Sequence, residues 1–210
     1  ECIECKRCLF LPTLRSIAKS LDRKIDTPTV TELIRGTRES YLCKTKSYAV
    51  SPQDLMFSQL GSAVHEIQAG HGQGNMLSEE RIKDEITSGQ LDLYGSIYDK
   101  SNDTLGDFKV TSSYKLAKAL GIYKVDVFTG EFFKSGLRKG LPKTRKEFRY
   151  DGVHDIYEWA LQLNYYRLLL EQQGFNVGHM YIQCFCRDSG LQIARDRGIT
   201  QPVYVLPINK

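Results

Sequence analysis

With 210 residues, 41% hydrophobic and 26% charged, the chain has an ordinary globular composition and lacks the low hydrophobicity of a disordered one. Its longest purely apolar stretches, such as LLL at 168–170, fall far short of the roughly 20 residues that cross a bilayer, so a soluble protein without membrane attachment is expected. The net charge of +4 says little about partners until its distribution is read along the chain.

One domain spanning 1–210 is the expectation at this length. No charged start followed by an apolar stretch and a small-residue cleavage site is visible, which predicts a cytoplasmic setting. Residues 1–50 read as a helical, cysteine-containing region: ECIECKRC, a helix near 11–21, then TPTVTELIRGTRESYL, where Thr29 or Thr31 can cap a further helix. SPQD at 51–54 marks a clearer helix start, with Ser51 as N-cap, Pro52 in the first turn and Asp54 at the positive end of the dipole. That helix runs to about Ala69 with Met56, Leu60, Ala63, Val64 and Ile67 on one stripe, and GHGQGN at 70–75 ends it. The glycine run follows a helix, so it is a mobile loop and not a dinucleotide fingerprint.

Glu79, Glu80 and Glu85 read as a charged helical face. Two strands, 90–98 and 104–111, follow around the turn KSND. A basic insertion at 112–152 comes next, with a strand at IYKVDVF. A helix at 154–173 closed by Gly174 precedes two further strands, HMYIQCFC and PVYVLPI. The basic insertion holds ten basic and three acidic residues between Ser112 and Tyr150, a net +7 that leaves the rest of the chain at −3. Seven aromatics are interleaved with them. Cations neutralise phosphates while rings stack on bases, so a nucleic-acid surface is one reading; a solvated loop with a few core aromatics is the other.

The two strands carry the chemistry. Side chains alternate faces along a strand, which groups Leu91, Leu93, Gly95 and Ile97 against Asp92, Tyr94, Ser96 and Tyr98. In the second strand Gly106, Phe108 and Val110 form the apolar set, leaving Asp107, Lys109 and Thr111 opposite. Partner numbers in an antiparallel hairpin have a constant sum, and burying both apolar sets together requires an odd one. Asp92, Asp107 and Lys109 then share a face. A turn centred between Lys100 and Ser101 sets Asp92 opposite Lys109, with Asp107 on the diagonal about 7–8 Å away. Two carboxylates at about 4 Å repel by roughly 4 kcal/mol at an effective dielectric near 20, and a divalent cation removes that cost. Hard carboxylate oxygens suit Mg²⁺, which polarises phosphoryl oxygens and lowers the pKa of bound water. Lys109 would orient that water or stabilise developing charge. The bland alternative is a wet face whose charges keep it soluble.

Four motifs occur in order: GSAVH (61–65), GQLD (89–92), DFK (107–109) and QLNYY (162–166). Together they resemble the PD-(D/E)XK nuclease superfamily, in particular its RecB-like exonuclease branch, over about residues 60–187. The resemblance implies a restriction-endonuclease-like α/β core, a central mixed sheet flanked by helices. It implies a deoxyribonuclease using Mg²⁺ or Mn²⁺, of exonuclease or flap type, in recombination, repair or phage DNA processing. A helicase or recombination protein would be its partner. Asp92, Asp107 and Lys109 would be catalytic. His65, Asp92, Asp107 and the Phe108 carbonyl would hold the metal, with the Phe108 ring in the core. Gln162 and Tyr166 would touch DNA or the edge of the site, and Arg138, Lys139, Lys143, Arg145 and Lys146 would bind DNA. Glu66 would be a neighbouring ligand or a solvated acid, and the branch sometimes places an extra acid in the region of Glu79, Glu80 and Glu85. Read without the family, His65 is a half-buried helix histidine, Gly61 leaves room for a close neighbour, Tyr166 packs in the core and Gln162 caps a backbone group. A non-cleaving nucleic-acid-binding module and a site-specific restriction-type endonuclease are the rival functions.

Cys2, Cys5 and Cys8 have metal- or cluster-ligand spacing but lack a fourth ligand, which Cys43 or a residue upstream of Glu1 would supply. Some RecB-like nucleases hold a 4Fe-4S cluster on one early and three late cysteines; this chain has three early and none after Cys186. Zinc or 4Fe-4S is therefore the minor reading. Cys184 and Cys186 share a strand face with Met180 and Ile182 and are expected in the core.

Overall fold

The computed structural model describes residues 9–21, 27–72, 74–97, 103–150 and 154–210. Cys2, Cys5 and Cys8 lie outside them. Among the described residues, no helix is long and apolar enough to cross a membrane.

The elements are α1 (Leu11–Leu21), α2 (Val30–Arg35), α3 (Thr37–Thr45), α4 (Met56–Ala69), β1 (Leu77–Ser78), β2 (Arg81–Lys83), β3 (Ser88–Gln90), β4 (Leu93–Gly95), β5 (Thr104–Thr111), α5 (Ser113–Ala119), β6 (Tyr123–Phe132), β7 (Pro142–Arg149), α6 (Tyr157–Gln172), β8 (His179–Cys186), α7 (Gln192–Arg195) and β9 (Val203–Pro207). A mixed five-stranded sheet in the order β1-β4-β5-β8-β9 is flanked by helices. The β4–β5 pair is antiparallel. His179 N–H donates to Asp103 O at one end of β5 and Arg187 N–H to Thr111 O at the other, the constant offset of a parallel β5–β8 pair.

Two compact units divide the chain. One holds residues up to Val110, Glu158–Gln183 and Pro207–Lys210; the other holds Thr111–Tyr157 and Cys184–Leu206. In the first, α6 buries Trp159, Leu163, Tyr166, Leu169 and Leu170, one helical face, together with Leu91, Leu105 and Ile182. Gly174, at φ 88°, ends it, with Phe175 N–H returning to Leu170 O. In the second, Leu116, Ala117, Ala119, Cys184, Cys186, Ala194 and Ile199 are buried, the two cysteines packed as the strand alternation predicts.

Four local expectations are corrected. Residues 51–56 form successive i to i+3 turns, and α4 begins at Met56 with Leu55 in place of Ser51 as cap. The apolar stripe of α4 is not core: Leu60 is 43% and Ile67 60% exposed. Residues 79–85 are not helical; Asp84 accepts the N–H groups of Ile86 and Thr87 and turns β2 back into β3. The strand expected at 90–98 is split into β3 and β4, and Ile97 leaves it to fold over Gly106, where a Cβ would overlap the Ile97 side chain.

Candidate metal centre

The positions of Asp92 and its neighbours follow from a kink in one long hairpin. Leu77 and Ser78 pair with Tyr94 and Leu93, while Arg81, Ile82 and Lys83 pair with Gln90, Gly89 and Ser88 in the same register. Between them Glu79 N–H donates to Asp92 O and Leu91 N–H to Glu80 O. At the kink Glu79 takes φ 54°, a left-handed conformation that costs a residue with a Cβ about 1 kcal/mol. That turn aims the Glu79 carboxylate at Asp92 and His65.

On the other side β4 pairs with β5 so that Leu93 faces Gly106 and Gly95 faces Thr104. The expected opposition of Asp92 and Lys109 is corrected: the register slides by two residues and brings Asp92 level with Asp107. An even slide keeps every side chain on its face. Asp92 Oδ2 accepts the Phe108 N–H at 2.7 Å, so the carboxylate caps the neighbouring strand.

Helix α4 supplies the opposite wall. Ser58, Gly61, Ser62, His65, Glu66 and Ala69, one face at helical spacing, line a cleft of about 890 Å³ with Glu79, Arg81, Gln90 and Asp92. This small, polar face carries the site, whereas the apolar stripe does not. Gly61 has no heavy atom within 4 Å of where a Cβ would stand, so the room it leaves belongs to the cleft and not to a protein neighbour.

His65 Nδ1 lies 3.1 Å from Asp92 Oδ1 and 3.7 Å from Glu79 Oε1. One ligand atom from each of the three falls within 4.8 Å of the others. The bond to Asp92 raises the His65 pKa against the opposing effect of burial. Burial, then Asp92, raises that of Glu79. Gln90 donates to Glu79 Oε2 at 2.6 Å, and Arg81 in turn donates to Gln90 Oε1 at 3.2 Å. The Phe108 ring is only half-buried and meets the His65 ring edge-on at 6.1 Å, a correction to its expected place in the core.

Asp107 is 3% exposed. Lys109 Nζ reaches its Oδ1 at 3.0 Å and its Oδ2 at 2.7 Å, but Oδ2 makes no hydrogen bond of acceptable geometry. Burial pushes the Asp107 pKa up to about 6 despite Lys109. Burial is also the largest influence on Lys109, pulling downward, yet Asp107 and Asp92 hold its pKa above the ordinary value. The ammonium is completed by Gln162 Oε1 at 3.1 Å, and Gln162 Nε2 donates to the Tyr166 hydroxyl at 2.8 Å. Tyr166 is buried, and Gly89 makes room for its ring, which any Cβ there would overlap. Gln162 and Tyr166 therefore stand behind Lys109 and not on an open surface.

The donor set could hold a metal ion: an imidazole and two carboxylates converge, and a buried Asp107 oxygen has an unused lone pair. Three of the expected ligand residues, His65, Asp92 and Asp107, lie in or next to this cluster. Glu79, read from sequence as part of a charged helical face in a region where the family branch sometimes places an extra acid, is the member not named there as a ligand. Glu66 lines the cleft but is exposed.

The basic residues fall in the other unit, on an antiparallel β6–β7 ribbon. Arg138 and Lys139 are exposed beyond its strands; Arg138 lies 5.9 Å from the Phe133 ring centroid. Lys143 pairs with Glu131 at 2.9 Å and Arg145 with Glu147 at 2.7 Å, while Lys146 faces Asp126 across the strands. Cys43 lies half-buried on α3. Comparison with family models, curated proteins and solved structures returns no match for this chain.

Proposed function

We propose that this chain is a metal-dependent deoxyribonuclease with a restriction-endonuclease-like PD-(D/E)XK core of the RecB-like kind. The observation that carries the reading is the connection of all four motifs in one network. His65 bonds Asp92, Asp92 bonds the Phe108 amide, Asp107 holds Lys109, and Lys109 is fixed from behind by Gln162 and Tyr166. Surface charges do not need such support; an ammonium held by a 3%-exposed carboxylate and a glutamine does.

His65, Glu79, Asp92 and Asp107 would hold Mg²⁺ or Mn²⁺, which supplies Lewis acidity toward a phosphodiester and a more acidic bound water. Lys109 keeps its proton at neutral pH and offers N–H donors to charge developing on a phosphate oxygen. Gln162 and Tyr166 fix its position so that it need not reorganise during the reaction. Gln90 holds the Glu79 carboxylate, and the small face of α4 leaves space for a backbone to approach. The exposed cations of the ribbon would contact DNA phosphates.

Digestion of end-labelled linear and closed circular DNA in Mg²⁺ or Mn²⁺ tests this. Expected is metal-dependent release from linear ends, with circles spared, and loss of that release in Asp107→Asn and Lys109→Ala. Parent-like rates in either variant would sink the mechanism. Nicked or discrete circular products would make the enzyme an endonuclease, and EDTA-insensitive binding without products would leave a binding module.

A further inference from the structure

The second compact unit carries a surface that the metal centre does not use. In the β6–β7 ribbon Lys124 pairs with Phe148, Asp126 with Lys146 and Phe128 with Thr144. Alternation puts these three pairs on one face. Phe132, past the irregularity that follows Phe128, extends the row, its ring centroid 5.3 Å from that of Phe128. Phe128 and Phe132 are 48% and 54% exposed. At the far end of the same face, Phe148 and Lys124 enter a pocket of about 230 Å³ whose lining includes Tyr114, Lys118, Ile122 and Arg197, with Asp196 its one carboxylate. Gly198 backs Phe148 there: a Cβ on it would stand 3.1 Å from the ring.

Two rings of the pocket each have a cation beside them. Lys124 Nζ is 5.1 Å from the Phe148 centroid, and Lys118 and Arg197 are 4.9 and 5.5 Å from that of Tyr114. Charge also separates the rings along the ribbon, where Lys146 and Asp126 lie between Phe148 and Phe128. An apolar protein partner or a lipid surface would meet those charges as desolvation costs. A single nucleic-acid strand matches them, because its bases offer faces to the rings while its phosphates meet the lysines. A duplex hides its base faces in the stack and gives exposed rings nothing to cover them. The pocket is smaller than the roughly 300 Å³ at which drug-sized sites begin, and it suits one planar ring.

We propose that this face and its pocket bind single-stranded nucleic acid, the pocket accepting one unstacked base and Phe128 and Phe132 stacking on others. The inference rests on the nucleic-acid part of the proposed function and adds strand class and location to it. Fluorescence anisotropy with the full chain in EDTA, using a labelled mixed-sequence single strand and its duplex, separates the two readings. The single strand should bind at least roughly 10-fold tighter than the duplex. The exposed-ring double variant Phe128→Ala/Phe132→Ala should lose roughly 10-fold for the single strand and little for the duplex, as expected for base stacking. Tyr114→Ala should lose single-strand affinity too, and 2-aminopurine in the parent's ligand should brighten or quench on entering the pocket.

Equal affinity for duplex, parent-like binding by the double variant, or binding only to phosphatidylserine vesicles would overturn the proposal. Circular dichroism of the variants keeps a folding defect from counting as support. Single-strand binding without any metal-dependent cleavage would defeat the nuclease reading and leave this one standing; cleavage with unaltered variant binding would do the reverse.

Discussion

Asp107, 3% exposed and pushed to a pKa of about 6, and Lys146, standing in water on the ribbon, are both charged residues on strands, but their surroundings set different terms. In the metal centre the buried charges are paired: Asp107 with Lys109, Lys109 also with Gln162, Asp92 with His65 and a backbone amide. On the ribbon the pairs that form, such as Lys143–Glu131, lie at exposed positions and contribute little stability. A buried cluster acts as a unit, so one deletion disturbs all of it. Exposed cations act additively and are screened by salt.

The sharpest way to break this contrast is Lys109→Ala, which strands the Asp107 carboxylate. At pH 8 urea unfolding should show a loss of about 3–5 kcal/mol, largely recovered in the double variant Asp107→Asn/Lys109→Met. If the single and double variants are equally unstable, the pair is not a unit. Next in size is Gln90→Ala, which frees the Glu79 carboxylate; Mn²⁺ affinity by calorimetry should fall roughly 10- to 100-fold, the usual effect of removing a support behind a ligand.

A pH effect follows. Burial raises the Asp107 pKa and the Asp92 bond raises that of His65, so each group holds its proton more tightly folded than unfolded. Their contribution to the metal-free fold is complete below about pH 4 and is lost as pH rises through about 6 and the raised His65 value. Melting temperature in EDTA, taken relative to Asp107→Asn, should therefore fall over that window, while Mn²⁺ affinity should climb as the same protons leave. The smallest effects belong to the ribbon. Removing Arg138 or Lys139 should weaken DNA binding uniformly across sequences and reduce the slope of log K against log salt by about 1 each.

Much of the fold and part of the centre were legible because alternation is a strict rule. The parity of β5 placed Asp107 and Lys109 together, and an odd hairpin sum put Asp92 on their side whatever the register. The register itself was not legible, since the packing of Ile97 onto Gly106 is a tertiary contact with no local signature. Glu79 escaped because an acid-rich run such as SEERIKDE resembles a helix face. The signal that could have found it is Asp84 opening Asp-Glu-Ile-Thr-Ser-Gly, a turn former that makes the segment a hairpin. On the cleft-lining face of α4 His65 and Gly61 were legible through their motif, but Ser58, Ser62 and Ala69 form no apolar stripe that would mark the face from sequence.

Among the described residues, Glu79 is the only one other than glycine with a positive φ. Glu79→Gly would relax that backbone and, by a gain of about 1 kcal/mol, raise the melting temperature of the metal-free chain by a few degrees. The same change deletes a carboxylate from the cluster. Heat resistance and the proposed ion binding thus pull in opposite directions at one position, and laboratory evolution ranked on thermal survival alone would tend to erase a carboxylate of the candidate metal centre.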